Sequence, residues 1–523
     1  MKRILVLLLA GSGIVASSCN TNLLDTSPDN KYVESNFWKS EAAANAALSG
    51  CYSVLSYSGL FGGDATPLLE DAASPNAYSY GNTSGFNSIA NGQLAASDNG
   101  IIPTRWNHCY QGIGRCNTFL VKVNEVPDMD SALMSRMKGE ARFLRALYYF
   151  ELETYWGDVP LILGPPDPPA QKNLPRTPRE EIIAQVIKDL DSAALLLPLK
   201  YGAGDLGRAT KGAALALKSR VLLYEASPLF NDKNDASRWK KAADAAKAVI
   251  DLAPEAGYGL FDNYRALFLP DNENNKEVIF DVQFIFPDEG NSFDLINSQY
   301  NSNAPLLDLA EAYEMKSGKP ITDPTSGYNP DSPYIGRDPR LEATIVYPGA
   351  PFKGEEATPK YYKQTGFAMK KYCIYDSAAP PKDLADLKAG QSFTNFIVLR
   401  YADILLAYAE ALNESDPGNP AILSSLNQIR ERVHMPAIAS GQSQSQMREA
   451  IRHERRVETA GEALYYNDVR RWKIAETVLN APIYNYDHKE IQKRKFNKAR
   501  DYWWPIPQGE LDLNPKLEQN PGY

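Results

Sequence analysis

Short alanine-rich segments that occur in pairs constrain the fold of this chain more than any other feature. The segment "ATKGAALALKSRVLLYEASP" carries small residues such as Ala213 and Ala216 in its first half. The segment "SRWKKAADAAKAVIDLAP" follows shortly afterwards and repeats the pattern with Ala243 and Ala246. Small side chains allow a neighbouring helix to approach closely. The two segments therefore predict a pair of packed helices joined by a short loop.

The same arrangement recurs later, where "LRYADILLAYAEALNES" is followed by "NPAILSSLNQIRERV". Two short helices in tandem, with Trp or Tyr near one end and Pro after the second, are typical of a tetratricopeptide-like unit. The pairs predict a mainly α-helical protein built on a scaffold of helical hairpins.

Two further helices are predicted from apolar residues that recur at three- and four-residue steps. In "TPREEIIAQVIKDLDSAALLLP", Pro178 follows Thr177, and Glu180 lies three positions after Thr177. This order predicts a helix that opens with a capping box. A single last helix is predicted over "QSQMREAIRHERRVETAGEALYYNDVRRWKIAE".

Residues 58–105 and 255–397 lack helical periodicity and are rich in Gly, Asn, Pro and aromatic residues. Long structureless stretches are uncommon in compact domains unless they are functional or disordered, and disordered segments are poor in aromatic residues. We therefore predict ordered loops that build surface, with short strands such as "EVIFDVQFIF". The predicted regions are an N-terminal helical part at 36–254, a loop-rich ligand platform at 255–397, and a C-terminal helical part at 398–523 that packs on the scaffold.

The N-terminus predicts export. A basic start precedes a short apolar run, Ile4–Val15, which falls short of the ~20 residues that a membrane-spanning helix needs. The following "VASSC" resembles a bacterial lipobox, in which the thiol of Cys19 is acylated and becomes the new N-terminus. We predict a signal peptide at 1–18 and a lipidated tether at 19–35. The alternative is a plain signal peptide with an incidental cysteine.

Charge and cysteine spacing exclude several classes of site. The formal net charge is −9, whereas nucleic-acid binding requires a basic surface. Cys109 and Cys116 are predicted on one helix, about 10.5 Å apart along its axis, which exceeds the ~7 Å between Cα atoms that a disulfide tolerates. The chain has no CxxC motif, and its four histidines lack the spacing of metal ligands. We predict no metal and no cofactor.

Several blocks of the chain, taken in order, resemble one known family. They are Cys19 followed by "NLLDTSP", then "NFWKSEAAANAALSGCYSVL", "WNHCYQGIGRCNTFL", "GEARFLRALYYFELETYWGDVPL", "RATKGAALALKSRVLLYEA", "LRYADILLAYAEALNE", "HERRVETAGEALYYNDVRRW" and "YWWPIPQGELDLNPKLEQNPGY". Over its whole length the chain resembles the SusD/RagB outer-membrane lipoproteins of Gram-negative bacteria.

The resemblance implies a tetratricopeptide-like helical body with a looped portion packed on it. It also implies a lipid-anchored protein at the cell surface that binds glycans and serves as a hinged lid for a SusC-like TonB-dependent transporter. Two alternatives stay open: a lid of the same architecture that captures peptide or protein, and a subunit that acts only in assembly.

Catalysis is not predicted. The chain has no Ser-His-Asp pattern, GxSxG motif, phosphate-binding loop or HExxH motif. Glycoside hydrolysis needs two carboxylates about 5–10 Å apart, and Glu70 and Asp71 precede a tyrosine-rich loop. Among 64 acidic residues, however, such neighbours also occur by accident.

The densest charge cluster is predicted to be structural. It lies in "RHERRVE" and "NDVRRW", which include Glu454, Arg455, Glu458, Asp468 and Arg471. These blocks belong to the family pattern whatever the ligand, which favours an ion-pair network between helices over an anion or sugar-acid site. The same interpretation applies to Arg400 near Asp403 and Glu410, and to the "RDPR" block at 337–340.

The loop "SPNAYSYGNTSGFNSIANGQL" has the chemistry of a sugar site. Tyr78, Tyr80 and Phe86 lie among asparagines that include Asn82. The C–H face of a pyranose suits the π-cloud of an aromatic ring, and its hydroxyl groups suit amides, which both donate and accept. We predict ligand contact from this loop. The alternatives are packing of the rings onto the scaffold, or a surface that faces the transporter.

A second candidate is "DEGNSFDLINSQYNSNAP", where Phe293 and Tyr300 lie among four asparagines. Relatives also use an aromatic residue from roughly this region, after the predicted strand. We favour Tyr300 over Phe293 as the ligand contact.

Overall fold

A computed structural model describes residues 37–63 and 65–523 of the chain. The predicted signal peptide, Cys19 and the tether lie outside these residues. No helix within the described ranges combines the length and apolar character that a membrane crossing requires.

The described chain is mainly α-helical. Its α-helices are α1 (Glu41–Ser53), α2 (Thr66–Leu69), α3 (Phe86–Ala90), α4 (Ile101–Lys122), α5 (Ser131–Trp156), α6 (Pro168–Gln171), α7 (Arg179–Leu196), α8 (Lys211–Ala226), α9 (Ala236–Ala256), α10 (Leu307–Ala312), α11 (Pro339–Thr344), α12 (Tyr401–Ser415), α13 (Pro420–Arg432), α14 (Gln444–Thr459), α15 (Tyr465–Arg471), α16 (Ala475–Val478) and α17 (Gln508–Leu513).

The strands are short and form antiparallel pairs. They are β1 (Ala77–Tyr78), β2 (Val278–Val282), β3 (Ala304–Pro305), β4 (Ile345–Val346), β5 (Pro351–Phe352), β6 (Glu355–Glu356), β7 (Ala368–Met369), β8 (Phe396–Arg400), β9 (Pro482–Tyr484) and β10 (Glu490–Lys493). The pairs are β1–β3, β2–β8, β4–β7, β5–β6 and β9–β10.

The predicted hairpins are confirmed, and they form one continuous stack. Consecutive helices pack against each other from α4 to α5, α5 to α7, α7 to α8 and α8 to α9. Helix α9 then packs directly against α12, which packs against α13 and α14. The long loop-rich excursion between α9 and α12 therefore leaves the stack and returns to it, and the main hydrophobic core contains residues from Trp38 to Ile506.

The predicted strand "EVIFDVQFIF" is confirmed as β2, and its partner closes the base of the excursion. Val278 lies opposite Arg400 and Val282 lies opposite Phe396, so the chain enters and leaves the loop-rich region through one two-stranded ribbon. Side chains on both strands are buried in the main core. The ribbon thus ties the loops to the helical scaffold.

Three local predictions are wrong. The capping box at Thr177 does not form, because Thr177 pairs with Val159 in a β-bridge and α7 begins at Arg179. The second alanine-rich helix is expected to end before Pro254, but α9 continues through Pro254 to Ala256. The predicted single last helix is divided into α14, α15 and α16, since the chain turns at Gly461, which has φ +79° and donates its N–H to the buried Asp71 carboxylate at 2.6 Å.

The predicted ion-pair network is confirmed. Arg455 is fully buried and donates to Asp403 at 2.6 Å and to Asp468 at 2.7 Å. Glu458 is also fully buried and pairs with Arg340 at 3.0 Å. Removing one partner from such a pair leaves an uncompensated buried charge, so these residues hold α12, α14 and α15 in one arrangement.

One assignment within the network is corrected. Arg400 does not pair with Asp403 or Glu410 but donates to Glu277 at 2.8 Å, to Glu458 at 2.7 Å and to Glu462 at 2.6 Å. The reason is the position of Arg400 at the end of β8, where its side chain faces the strand and the turn after α14 rather than its own helix. Arg400 thus connects the ribbon to the helices.

Candidate functional site

Pairing of β1 with β3 brings the two predicted ligand loops together. Ala77 lies opposite Pro305 and Tyr78 lies opposite Ala304, in antiparallel register. The residues after Tyr78 and those before Ala304 therefore leave the same end of the ribbon. Tyr80 and Tyr300, which are far apart in sequence, lie on these two segments. We call residues 78–88 and 291–303 the platform.

Two of the predicted rings are open to solvent. The exposed fraction is 70% for Tyr80 and 66% for Tyr300. Tyr78 is only 8% exposed and packs with Leu306 and Ile483. Large aromatic side chains are usually mostly buried, so the two open rings are unusual, whereas Tyr78 supports the base of the loop.

The other two predicted rings, Phe86 and Phe293, are core residues, so their burial contradicts the predicted contact with a ligand. Phe86 and Phe293 are both 0% exposed and belong to the main hydrophobic core. Phe293 packs edge-on against Tyr372 and Phe396, with ring centroids 5.9 and 6.1 Å away. The physical reason is that phenylalanine has no hydroxyl group to satisfy, whereas a tyrosine can leave its polar end in water.

A tight turn holds Tyr80 in place. Asn82, Ser84 and Gly85 have φ values of +50°, +56° and +88°. The Asn82 side chain accepts from the Ser88 N–H at 2.9 Å and donates to the Ser88 hydroxyl, also at 2.9 Å. Positive φ at non-glycine residues persists only where neighbouring contacts enforce it. The exposed amide of Asn82 keeps one further N–H and one lone pair for a ligand.

Most other asparagines near the platform are used within the protein. The Asn87 carbonyl oxygen accepts from Asn91 at 3.3 Å and from Gln492 at 3.0 Å. The Asn291 amide donates to the Thr394 carbonyl at 3.0 Å. These side chains fasten the loops to their neighbours, so the asparagine-rich composition is in part structural.

The segment that leads into the platform is anchored from below by Arg494. This buried guanidinium donates to the carbonyl groups of Ser74, of Ala72 at 2.9 Å and of Ala77 at 2.7 Å. Burial lowers the pKa of Arg494 to about 10, so the group stays charged at neutral pH.

A second anchor comes from α14 and the turn after it. Arg456 donates to the Asn76 side chain at 2.9 Å. The Asp71 carboxylate accepts from the Gly461 N–H at 2.6 Å, and burial raises the pKa of Asp71 to about 6. The family-pattern block "HERRVETAG" thus lies directly behind the platform and fixes its entry strand.

The hairpin β9–β10 forms part of this surface, which the sequence patterns do not predict. Ile483 and Ile491 pack with Tyr78 and Leu306, and Gln492 reaches Asn87. The only sequence signal is a turn-forming "NYDH" between two short runs. Such a signal predicts a hairpin but not its partner.

The two carboxylates that precede the loop are structural. Glu70 is 2% exposed and accepts from Arg105 at 2.9 Å, from Asn467 at 3.1 Å and from Tyr155. Asp71 is fully buried beneath the platform. Neither carboxylate lies where a sugar on Tyr80 could reach it.

Comparison with known proteins gives one consistent result. The family model described as "SusD family" matches residues 271–523, and a second one, described as "Starch-binding associating with outer membrane", matches residues 22–223. A crystal structure of a SusD-like carbohydrate-binding protein from Bacteroides fragilis is 31% identical. The match covers 92% of this chain and 100% of that one, with a TM-score of 0.82.

Two further relatives agree. A structure of a laminarin-binding SusD-like protein is 26% identical, with coverage of 93% and 100% and a TM-score of 0.73. SusD-like protein P2 of Formosa agariphila is 26% identical over 96% of each chain.

Proposed function

Because this chain belongs to the SusD/RagB family, we propose that it is a cell-surface lipoprotein that captures oligosaccharides and polysaccharides for a SusC-like TonB-dependent transporter. In this role Cys19 carries the acyl chains that hold the protein in the outer membrane. Bound glycan passes to the transporter when the protein closes over it as a lid. The protein binds its ligand and does not cleave it.

The observation that carries this proposal is the pair of open rings, Tyr80 and Tyr300, at one end of the β1–β3 ribbon. A pyranose on either ring places its C–H face against the π-cloud, and one on Tyr80 lies beside the exposed amide of Asn82, which can bond its hydroxyl groups. Two rings on one surface bind successive sugars better than one. The described binding of carbohydrate and of laminarin by two relatives supports the same class of ligand.

Preformed geometry gives the surface its binding strength. The turn at Asn82–Gly85 and the anchors at Arg494 and Asp71 fix the loop before ligand arrives. A ligand therefore does not have to order the loop when it binds, and ordering is a main cost of association.

A glycan microarray run beside a peptide library tests the proposal. Tyr80→Ala and Tyr300→Ala should each weaken the strongest glycan hit about five- to tenfold, because an aromatic contact contributes roughly 1 kcal/mol. Leu195→Ala removes an apolar side chain on α7 that is even more exposed than the two tyrosines, and it should leave binding unchanged.

The rival functions give different results. Peptide binding that is insensitive to both tyrosine substitutions indicates a peptide-capturing lid. Uptake by cells that needs the protein but survives both substitutions indicates an assembly-only subunit. New reducing ends after incubation with polysaccharide indicate an enzyme. Release of a Cys19→Ala variant from the outer membrane tests the anchor.

A further inference from the structure

The segment 482–500, which contains β9 and β10, is basic in a chain with a net charge of −9. It contains six basic residues against two acidic ones. The basic residues are Lys489, Lys493, Arg494, Lys495, Lys498 and Arg500, and the acidic ones are Asp487 and Glu490.

Three of these lysines form no ion pair with another residue that the structure describes. Lys489 pairs with Asp487 at 2.6 Å and Arg500 pairs with Asp501 at 2.6 Å. Within the part of the chain that the structure describes, Lys493, Lys495 and Lys498 are exposed and have no carboxylate within 4.0 Å. We call these three residues the lysine strip.

Arg494 adds a buried positive charge behind the strip. It is 1% exposed. Among the residues that the structure describes, its partners are carbonyl groups rather than a carboxylate, and its Nε has no hydrogen-bond partner. Buried charges are normally paired with an opposite charge. No carboxylate is hydrogen-bonded to this guanidinium, although Asp308 acts on it from nearby, so its charge adds to the positive charge of the segment.

The lysine strip borders the platform. Gln492, next to Lys493, donates to Asn87 at 3.0 Å, and the neighbouring Ser88 is bonded to Asn82 at 2.9 Å. The Lys495 carbonyl lies against Gly92, at the end of the same loop. The hairpin and the loop that carries Tyr80 are therefore neighbours, and the three lysines are exposed on the hairpin side of this contact.

We propose that the glycan taken by this platform is anionic and carries uronate carboxylates or sulfate esters that bind the lysine strip. This inference rests on the proposed function and specifies its substrate class. Lysine suits such a role, because its flexible stem and compact charge accept anions from several directions. A neutral sugar carries no negative charge and would form no ion pair with these three lysines.

The test uses a microarray in which each neutral oligosaccharide stands beside its uronate and its sulfated counterpart. The wild-type protein should bind at least one anionic form about tenfold more tightly than the neutral form, because three exposed ion pairs together are worth roughly that factor. Raising NaCl from about 50 to about 300 mM should remove most of this preference. The uronate and sulfate arms identify the acidic group.

Matched variants separate a local effect from the net charge. Lys493→Gln/Lys495→Gln/Lys498→Gln should abolish the preference. Lys240→Gln/Lys241→Gln/Lys247→Gln makes the same charge change on α9 and should keep it.

Equal binding of neutral and anionic forms, with no effect of the lysine-strip substitutions, overturns the inference and leaves the proposed function intact. Binding of single-stranded DNA as tight as that of the anionic glycan also overturns it, because the strip is then a general polyanion surface. Absence of any glycan binding defeats the proposed function, and the inference falls with it.

Discussion

The ion-pair network and the platform use polar residues in opposite ways. In the network, Arg455 and Glu458 are fully buried and each is bonded to at least two opposite charges. In the platform, Tyr80 and Tyr300 present their rings to solvent. The comparison shows that paired, buried polar groups fix the scaffold, whereas open groups on the loops remain for a ligand.

Acidic residues in the two regions also differ in pKa. Burial alone raises the pKa of Glu458, but the guanidinium groups of Arg432, Arg400 and Arg340 outweigh it and hold the pKa well below its usual range. Asp71, beneath the platform, accepts from the backbone N–H of Gly461 rather than from a guanidinium group, and burial raises its pKa to about 6. The charged form is stabilised in one region and disfavoured in the other.

The largest expected effect is the loss of a buried charge from the network. Arg455→Leu leaves Asp403 and Asp468 without their shared partner and should lower the free energy of unfolding by about 3–5 kcal/mol. Urea denaturation measures it. The control Lys240→Gln removes an exposed pair with Asp244 and should cost at most about 1 kcal/mol. Equal losses in the two variants would show that the network contributes no more than a surface pair.

A second prediction separates the two kinds of ring in the platform. Phe293→Ala should lower the free energy of unfolding by about 3–5 kcal/mol, because it opens a cavity among Phe284, Tyr372 and Phe396. Tyr300→Ala should change it by no more than about 0.5 kcal/mol. Thermal or urea unfolding of both variants checks this. A large loss for Tyr300→Ala would mean that its ring supports the fold and is not free for a ligand.

The third prediction concerns pH. Because the pKa of Asp71 is raised from 3.8 to about 6, its stabilising contribution is complete below about pH 4 and is lost as the pH rises through 6. Relative to Asp71→Asn, the wild-type protein should lose up to about 3 kcal/mol over this interval.

The network should behave in the opposite way. The contribution of Glu458, judged against Glu458→Gln, is present above about pH 4.5 and lost as the pH falls. Urea denaturation of the three proteins from about pH 2 to about pH 7 measures both slopes. Parallel slopes for the two pairs would contradict the contrast between the regions.

Sequence patterns suffice for the elements whose signals are local. The hairpins, the strand β2 and the structural role of Arg455 and Glu458 follow from periodicity and from charge density within single blocks. The β1–β3 ribbon does not, because two-residue strands separated by more than 200 residues carry no local signal for their pairing. The burial of Phe86 and Phe293 could not be predicted either, since composition does not show which residues of a loop face the core.

The smallest expected effect concerns the turn that carries Tyr80, and it asks whether local hydrogen bonds replace ion pairs in the platform. Asn82→Gly keeps the positive φ without strain but removes both side-chain bonds to Ser88. The Ser88 amide should then exchange about five- to tenfold faster, since one such bond contributes roughly 1 kcal/mol. Exchange of the amides in α12 provides the internal control and should not change.

Glycan affinity of the Asn82→Gly variant should fall by no more than a few-fold, because only the preorganisation of the loop is reduced. Unchanged exchange at Ser88 would mean that the backbone alone holds the turn, and the rigidity of the platform would then have the same origin as that of the scaffold beneath it.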